Sequence, residues 1–294
     1  MVKYVRLPDR SFILVVMVAS VVAMSGCSHG NGFAVHPFQD QPAPAGNSTR
    51  LTWLFAKRAL NQVLVDADVR TRLGQLRIFE IVPVEQPPQV GPELVPTAKF
   101  SSYASLKQTL ADGSLPSWVR AVLYDNEAWS FTPEVEQRAP GRYMAMAAEL
   151  VHRHHLLFLA SPGLGLTTVL RPDVTRRAAA YLKLGLAAQA ATAADVVNIQ
   201  AQSLERSIGT YVDFVKQAAA QARRAHRGIT VLAGISSNPS GAPVSAAQLK
   251  RAVAGARPYV DGYWMNIPSP GPACPRCNPS RPDLAITAIR TLSH

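Results

Sequence analysis

The chain has no Gly-x-Ser-x-Gly elbow, so serine hydrolase chemistry of that pattern has no support. A dinucleotide fingerprint is missing too, because Gly163-Leu164-Gly165 is too short and lacks the third glycine. Cysteine is scarce, at three in 294 residues, and Cys274-Pro275-Arg276-Cys277 has no second pair with which to complete a zinc ribbon. Acidic residues number 19 against 30 lysines and arginines, which leaves a net charge of +11. Such a balance could attract an anionic surface. The bases are nevertheless scattered over helix-like stretches such as 171–183 and 216–227, with no basic motif interleaved with aromatics and no nucleic-acid module. A solvated helix surface accounts for them, and no nucleic acid is expected as a partner.

Long apolar runs are missing except at the start. Phe12 to Met24 is unbroken, but its 13 residues are too few to span a bilayer comfortably. Lys3, Arg6 and Arg10 precede it and Ser25-Gly26-Cys27 follow, so residues 1–26 read as a secretory signal. The Met24-Ser25-Gly26-Cys27 ending resembles the bacterial lipobox, with methionine where leucine is usual. That resemblance implies a lipid on Cys27 and a membrane-anchored lipoprotein; the alternative is an ordinary signal peptide cut nearby and a secreted protein. Both place the protein outside the cytoplasm. Removing residues 1–26, which carry three positive charges and one negative, leaves about +9 on the remainder. Residues 27–50, rich in Gly, Pro, Ser and Asn, read as a flexible tether. The rest, 51–294, shows no composition break and suits one α/β domain, expected to be a monomer.

From residue 76 strand-like and helix-like segments alternate. Residues 76–83, 119–124, 156–160, 195–200, 229–235 and 262–267 are short, apolar and rich in branched or aromatic residues, as strands covered on both faces should be. Between them lie amphipathic segments. One begins after Thr132, a candidate N-cap with Pro133 at the first helical position, and runs through Tyr143, Met146, Ala147, Leu150 and Val151 at helical spacing. Ile208, Tyr211, Val212, Val215 and Ala219 repeat the pattern. Regular alternation implies parallel strands with right-handed crossovers, and the length favours a closed (β/α)8 barrel of the TIM type, with an open doubly wound sheet as runner-up. Only six strands are plain; 52–55 and 98–100 supply the other two, unless the N-terminal third is irregular.

In such a barrel the C-terminal strand ends converge on one mouth, where chemistry is placed. Those ends supply Tyr124, Asp125, Asn126, Glu127 and Trp129, then Ser161, Asn198, Gln200 and Gln202, then Ser236, Ser237 and Asn238, and finally Trp264 and Asn266. Acids and amides bond sugar hydroxyls directionally, and aromatic faces stack on pyranose rings. Carboxyls at i and i+2 on an extended strand share a side, so charge on Asp125 would raise the proton affinity of Glu127. The same two acids could instead be structural, bonding the loop backbone.

The Asp125-Asn126-Glu127 ending, the Gln200-Ala201-Gln202 ending and Trp264 resemble the arrangement in family 18 glycoside hydrolases and chitinase-like proteins. That resemblance implies Glu127 as general acid/base, Asp125 as the carboxylate that steers an acetamido group, and Trp264 as the floor of the sugar site. Tyr124, Asn126, Trp129, Gln200, Gln202, Asn238 and Asn266 would bind substrate. The family's upstream aspartates are replaced here by Ala121 and Leu123. Over a longer stretch, 123–140 with 199–202 and 262–268, the chain resembles a set of secreted actinobacterial barrel proteins that bring no function with them. The expectation is a glycosidase on a polysaccharide or amino-sugar polymer; the alternative is a noncatalytic, carbohydrate-binding cell-surface lipoprotein on the same barrel. A positive helical surface could hold either against an anionic wall. No cofactor and no metal is expected. Cys274 and Cys277 read as a small loop disulfide, with an unpaired or reactive pair as the alternative. His152, His154 and His155 end a helix-like segment on the side away from the mouth and read as surface residues.

Overall fold

The computed structural model describes residues 50–86, 88, 93–239, 243–271 and 274–292. The expected signal segment, the lipidation candidate Cys27 and residues 27–49 of the tether lie outside them. Eight strands are present: β1 Thr52–Ala56, β2 Arg77–Ile81, β3 Leu94–Phe100, β4 Ala121–Tyr124, β5 Leu157–Ala160, β6 Val196–Ile199, β7 Thr230–Ser236 and β8 Gly262–Asn266. Each pairs in parallel with its neighbours in chain order, and β8 returns to β1. The closed eightfold barrel is therefore observed, and the open doubly wound sheet is not. Both weaker strands exist, with β3 starting earlier than residue 98 because Val95 and Thr97 continue its alternation.

Closure is tightest where β8 meets β1. Gly262 sits opposite both Thr52 and Leu232, and any Cβ there would collide with the Thr52 carbonyl. Only glycine allows that approach.

Helices cover the outside. They include α1 Lys57–Val63 and α2 Ala67–Leu73 after β1, and α3 Tyr103–Ala111 after β3. Next come α4 Glu134–Arg138 and α5 Pro140–Arg153 after β4, then α6 Thr167–Leu170, α7 Arg177–Leu184 and α8 Leu186–Ala191 after β5. The last three, α9 Ile208–Ala225, α10 Ala246–Ala256 and α11 Pro282–Thr291, follow β6, β7 and β8. Among the described residues no helix separates β2 from β3. That is an irregularity in the N-terminal third.

The expected single helix after Thr132 is two. Pro140 cannot donate a backbone bond, and its ring drives Ala139 out of the helical region, to φ −134° and ψ 54°. Pro140 then opens α5, whereas Pro133 caps α4 and Thr132 caps neither. The buried face of α5 is also rotated from the expected one, with Met144 and Ala148 buried and Tyr143 and Met146 at its edge.

Strand alternation divides the apolar side chains into two layers. Leu54, Phe79, Ala121, Leu123, Leu159, Val196, Leu232 and Trp264 fill the barrel. Trp53, Phe55, Val122, Tyr124, Phe158, Val197, Ile235 and Tyr263 face the helices. A period of two on β4 therefore sends Ala121, Leu123 and Asp125 inward, and Tyr124 and Asn126 outward.

Candidate functional site

At the C-terminal mouth, Asp125 follows Leu123 on the inner side of β4 and is wholly buried. Its Oδ1 accepts a hydrogen bond from Gln200 Nε2 at 2.8 Å. Its Oδ2 lies 2.6 Å from Lys99 Nζ, an ion pair by distance that lacks the angle of a directed hydrogen bond. Glu127 is two residues on and only partly covered. Gln200 Nε2 also approaches Glu127 Oε1 at 3.3 Å, and Ser161 Oγ and carbonyl at 3.0 and 3.1 Å. Asn198 Nδ2 donates to the same Ser161 hydroxyl at 2.9 Å. One amide thus ties the ends of β4, β5 and β6 together around the two acids.

The proton affinities follow from this packing. The Glu127 carboxyl is pushed up to about 8, first by burial and then by the negative charge of Asp125. Lys99 and the Gln200 bond oppose the rise without cancelling it. The packing therefore favours the protonated form of Glu127. Asp125 contributes as expected, but desolvation contributes more.

Space for Glu127 comes from Gly163 at the end of β5, where a Cβ would stand 2.8 Å from Glu127 Cγ. The Gly163 N–H donates to the Asn126 carbonyl at 2.8 Å. Gly163 of the Gly163-Leu164-Gly165 segment thus makes room for a carboxyl. Thr132 anchors the following loop instead of capping a helix, since its Oγ1 accepts from Trp129 Nε1 at 2.9 Å and from Glu127 N–H at 3.4 Å.

These residues open onto a polar cavity of about 590 Å3. Glu127, Trp129, Gln200, Gln202, Asn238, Trp264 and Asn266 all line it. Trp264 caps the inner core and is 9 % exposed, presenting a floor. Gln202 lies over Gly234, whose missing side chain leaves room for the amide. Trp129 packs edge-on against Phe131, with ring centroids 5.1 Å apart. Cys274 and Cys277 form a disulfide, and their loop is part of the wall.

Two expected ligand-binding residues do not reach the mouth. Tyr124 points outward and donates its hydroxyl to Glu136, and Asn126 Nδ2 donates to the Tyr124 hydroxyl and the Glu136 carbonyl at 3.3 and 3.2 Å. Glu136 also accepts from Tyr103 N–H at 2.8 Å, so this cluster joins β4 and α4 to the start of α3. Burial and the Glu136 carboxylate hold the Tyr124 hydroxyl above its ordinary range. Their place is structural, and the pleat is the reason.

Sequence reasoning missed Lys99, Arg177 and Gly163. Lys99 sits between the outward-facing Ala98 and Phe100, so the same alternation would have found it. Arg177 lines the cavity from the first turn of α7, where spacing gives no signal. His152 bonds Asp195 at 3.0 Å, just ahead of β6 and thus at the opposite end of the barrel. Among the described residues no cluster of three or more His, Cys, Asp and Glu is placed to hold a metal, and no helix is long and apolar enough to cross a membrane.

No protein-family model matches the chain, and no curated protein matches it. Solved structures with a similar course include triosephosphate isomerase from Bartonella henselae, at 11% identity over 74% of this chain and 92% of that one, with a TM-score of 0.42. They also include a glycoside hydrolase family 17 β-1,3-glucanosyltransferase from Rhizomucor miehei, at 13% identity over 72% of this chain and 79% of that one, with a TM-score of 0.34. An active-site mutant of the Rhizomucor miehei β-1,3-glucanosyltransferase, in complex with laminaritriose, gives 0.35 over the same spans. No residue role follows from these likenesses.

Proposed function

We propose that the protein is a glycoside hydrolase acting on an amino-sugar polymer, with Glu127 as general acid/base. The observation that carries this reading is a carboxyl held protonated to about pH 8, beside a second carboxyl, at the edge of an open polar cavity with a tryptophan floor. Trp264 and Glu127 line one cavity, and the proposal seats a sugar ring against the tryptophan with its glycosidic oxygen at Glu127. Glu127 gives that oxygen its proton as the bond to the anomeric carbon breaks. No second carboxyl lines the same cavity among the described residues, so the nucleophile would be the substrate's own acetamido oxygen, while the buried Asp125 acts by raising the proton affinity of Glu127. Water then adds to the cyclic intermediate, its proton passing to Glu127, and the product keeps its configuration.

One observation favours the binding-only alternative. Both Asp125 oxygens are already engaged, one by Gln200 and one by Lys99, and a carboxylate so held is less free to take an acetamido N–H. Export through residues 1–26, a lipid on Cys27, one barrel domain over 51–294 and a monomeric state belong to the same proposal. Calorimetric titration with chitin and peptidoglycan oligosaccharides, with product analysis of the same mixtures, separates the readings. Cleavage with retained configuration that Glu127→Gln abolishes supports the hydrolase. Binding without cleavage moves the assignment to the lectin-like protein, and no binding to either sends the search to other ligands.

A further inference from the structure

A second cavity, of about 610 Å3, opens over the C-terminal ends of β1, β2 and β3. The proposed chemistry uses none of it. Its floor is apolar, formed in part by Ile81, Val82 and Phe100, and its charged lining residues are Lys57, Arg58, Lys99 and Glu85. Lys99 lines this cavity and not the Glu127 cavity, but it stands at the boundary between them. While lining the second cavity, Lys99 extends Nζ to Asp125 at 2.6 Å and lies 5.0 Å over the ring of Trp129, which lines the first. The Lys99–Trp129 contact thus separates the two spaces at the barrel mouth.

We propose that the cavity over β1 to β3 is the adjoining subsite of the same substrate, and that it accepts a sugar bearing a carboxylate on a short apolar arm. The inference rests on the carbohydrate reading above and adds the substrate class. The volume suits one ring with a substituent. Arg58 is fixed in place, since its guanidinium donates to the Ile267 carbonyl at 2.6 Å, and that neutral partner leaves its charge uncompensated. The Lys99 charge at the junction is answered by Asp125, so Arg58 is the cation this argument assigns to a carboxylate. A purely polar sugar would gain little from the apolar floor, whereas an arm of one or two carbons would be covered by it. A neutral sugar would leave the Arg58 charge unanswered.

The test uses the full chain with Glu127→Gln, so that turnover does not intrude, and two tetrasaccharide probes at low ionic strength. One is neutral chitotetraose. The other alternates N-acetylglucosamine with N-acetylmuramic acid, whose lactyl ether ends in a carboxylate. The expected result is binding of the anionic probe about fivefold tighter, the scale of one partly exposed charge contact. Arg58→Gln should erase that preference and Glu85→Gln should widen it, with circular dichroism confirming that each variant folds. Equal affinities, or a preference that Arg58→Gln leaves intact, would overturn the anionic subsite while the carbohydrate reading stands. If neither probe binds, both fall together.

Discussion

Replacing Glu127 by glutamine should stabilise the protein at alkaline pH, and by an amount that grows with pH. In the unfolded chain a glutamate ionises near its ordinary value of 4.5, whereas the folded environment raises Glu127 to about 8. Between those values the folded state holds a proton that the unfolded state has released, so stability falls as pH rises through the window and levels off above it. At about 1.36 kcal/mol per pH unit, ionising Glu127 in place costs the fold up to ~5 kcal/mol. The loss is smaller if the carboxylate swings toward solvent, and about 3 kcal/mol is a reasonable lower figure. Glutamine has nearly the same shape and no charge, so it avoids this cost. Thermal unfolding followed by far-UV circular dichroism at pH 5 and pH 9 measures the difference, in which the other titrating groups largely cancel. Near pH 5 wild type and Glu127→Gln should melt within a few degrees of each other. By pH 9 the variant should melt higher, on the order of 10 °C for a chain of this size. A gap that is the same at both pH values, or a wild type that gains on the variant as pH rises, would refute the reasoning.

Other residues of the site give sharper local tests. Lys99→Met strips the cation from a carboxylate that is fully buried; urea unfolding at pH 7 should show a loss of about 2–3 kcal/mol, largely recovered in Lys99→Met/Asp125→Asn. A single variant as stable as wild type would mean the ion pair is immaterial. Gly163→Ala puts a methyl group 2.8 Å from Glu127 Cγ, forcing the acid off Gln200 at a cost of about 1–3 kcal/mol. Its carboxyl should then titrate closer to 4.5 than to 8, and an unchanged titration would argue against the tight fit. Glu205 is buried beneath the mouth, where one oxygen accepts from Ser236 N–H at 2.6 Å and burial raises its proton affinity. Its folded value lies above its unfolded one, so stability is again lost as pH rises; Glu205→Gln should raise the melting temperature at pH 8 and leave it unchanged near pH 4, and a uniform loss would contradict this.

Much of the barrel is legible from the residues because its strands are covered on both faces. Such strands appear as short apolar runs, and all eight, including the two weaker ones, are where the runs place them. Boundaries were less visible. Leu94 to Thr97 reads poorly as strand because Pro96 interrupts it, although it pairs with β2 and continues into the visible 98–100 segment. Pro140 was the overlooked signal after β4, since the apolar spacing of α5 persists across a break that the proline imposes. At the mouth, the strand-end reading brings Asp125, Glu127, Gln200 and Trp264 together, because each follows an apolar run whose alternation turns it inward. Tyr124 and Asn126 were misplaced by grouping a strand end as a block instead of splitting it by the pleat. Lys99 went unread for the same reason, and Gly163 because a glycine's value there depends on a side chain 36 positions away. The disulfide is expected from the lack of a second cysteine pair and an oxidising compartment, not from spacing, and its place in the cavity wall is not legible in the sequence.

The central claim is that Glu127 holds a proton at neutral pH in the barrel mouth. A carbon-13 NMR titration of the glutamate carboxyls, with the Glu127 signal assigned by its disappearance in Glu127→Gln, tests it without a substrate. The account expects a midpoint near 8 that falls in Asp125→Asn as the second carboxylate's charge is removed. A midpoint near 4.5, unmoved by Asp125→Asn, would show an ordinary ionised surface glutamate and would contradict the acid/base assignment.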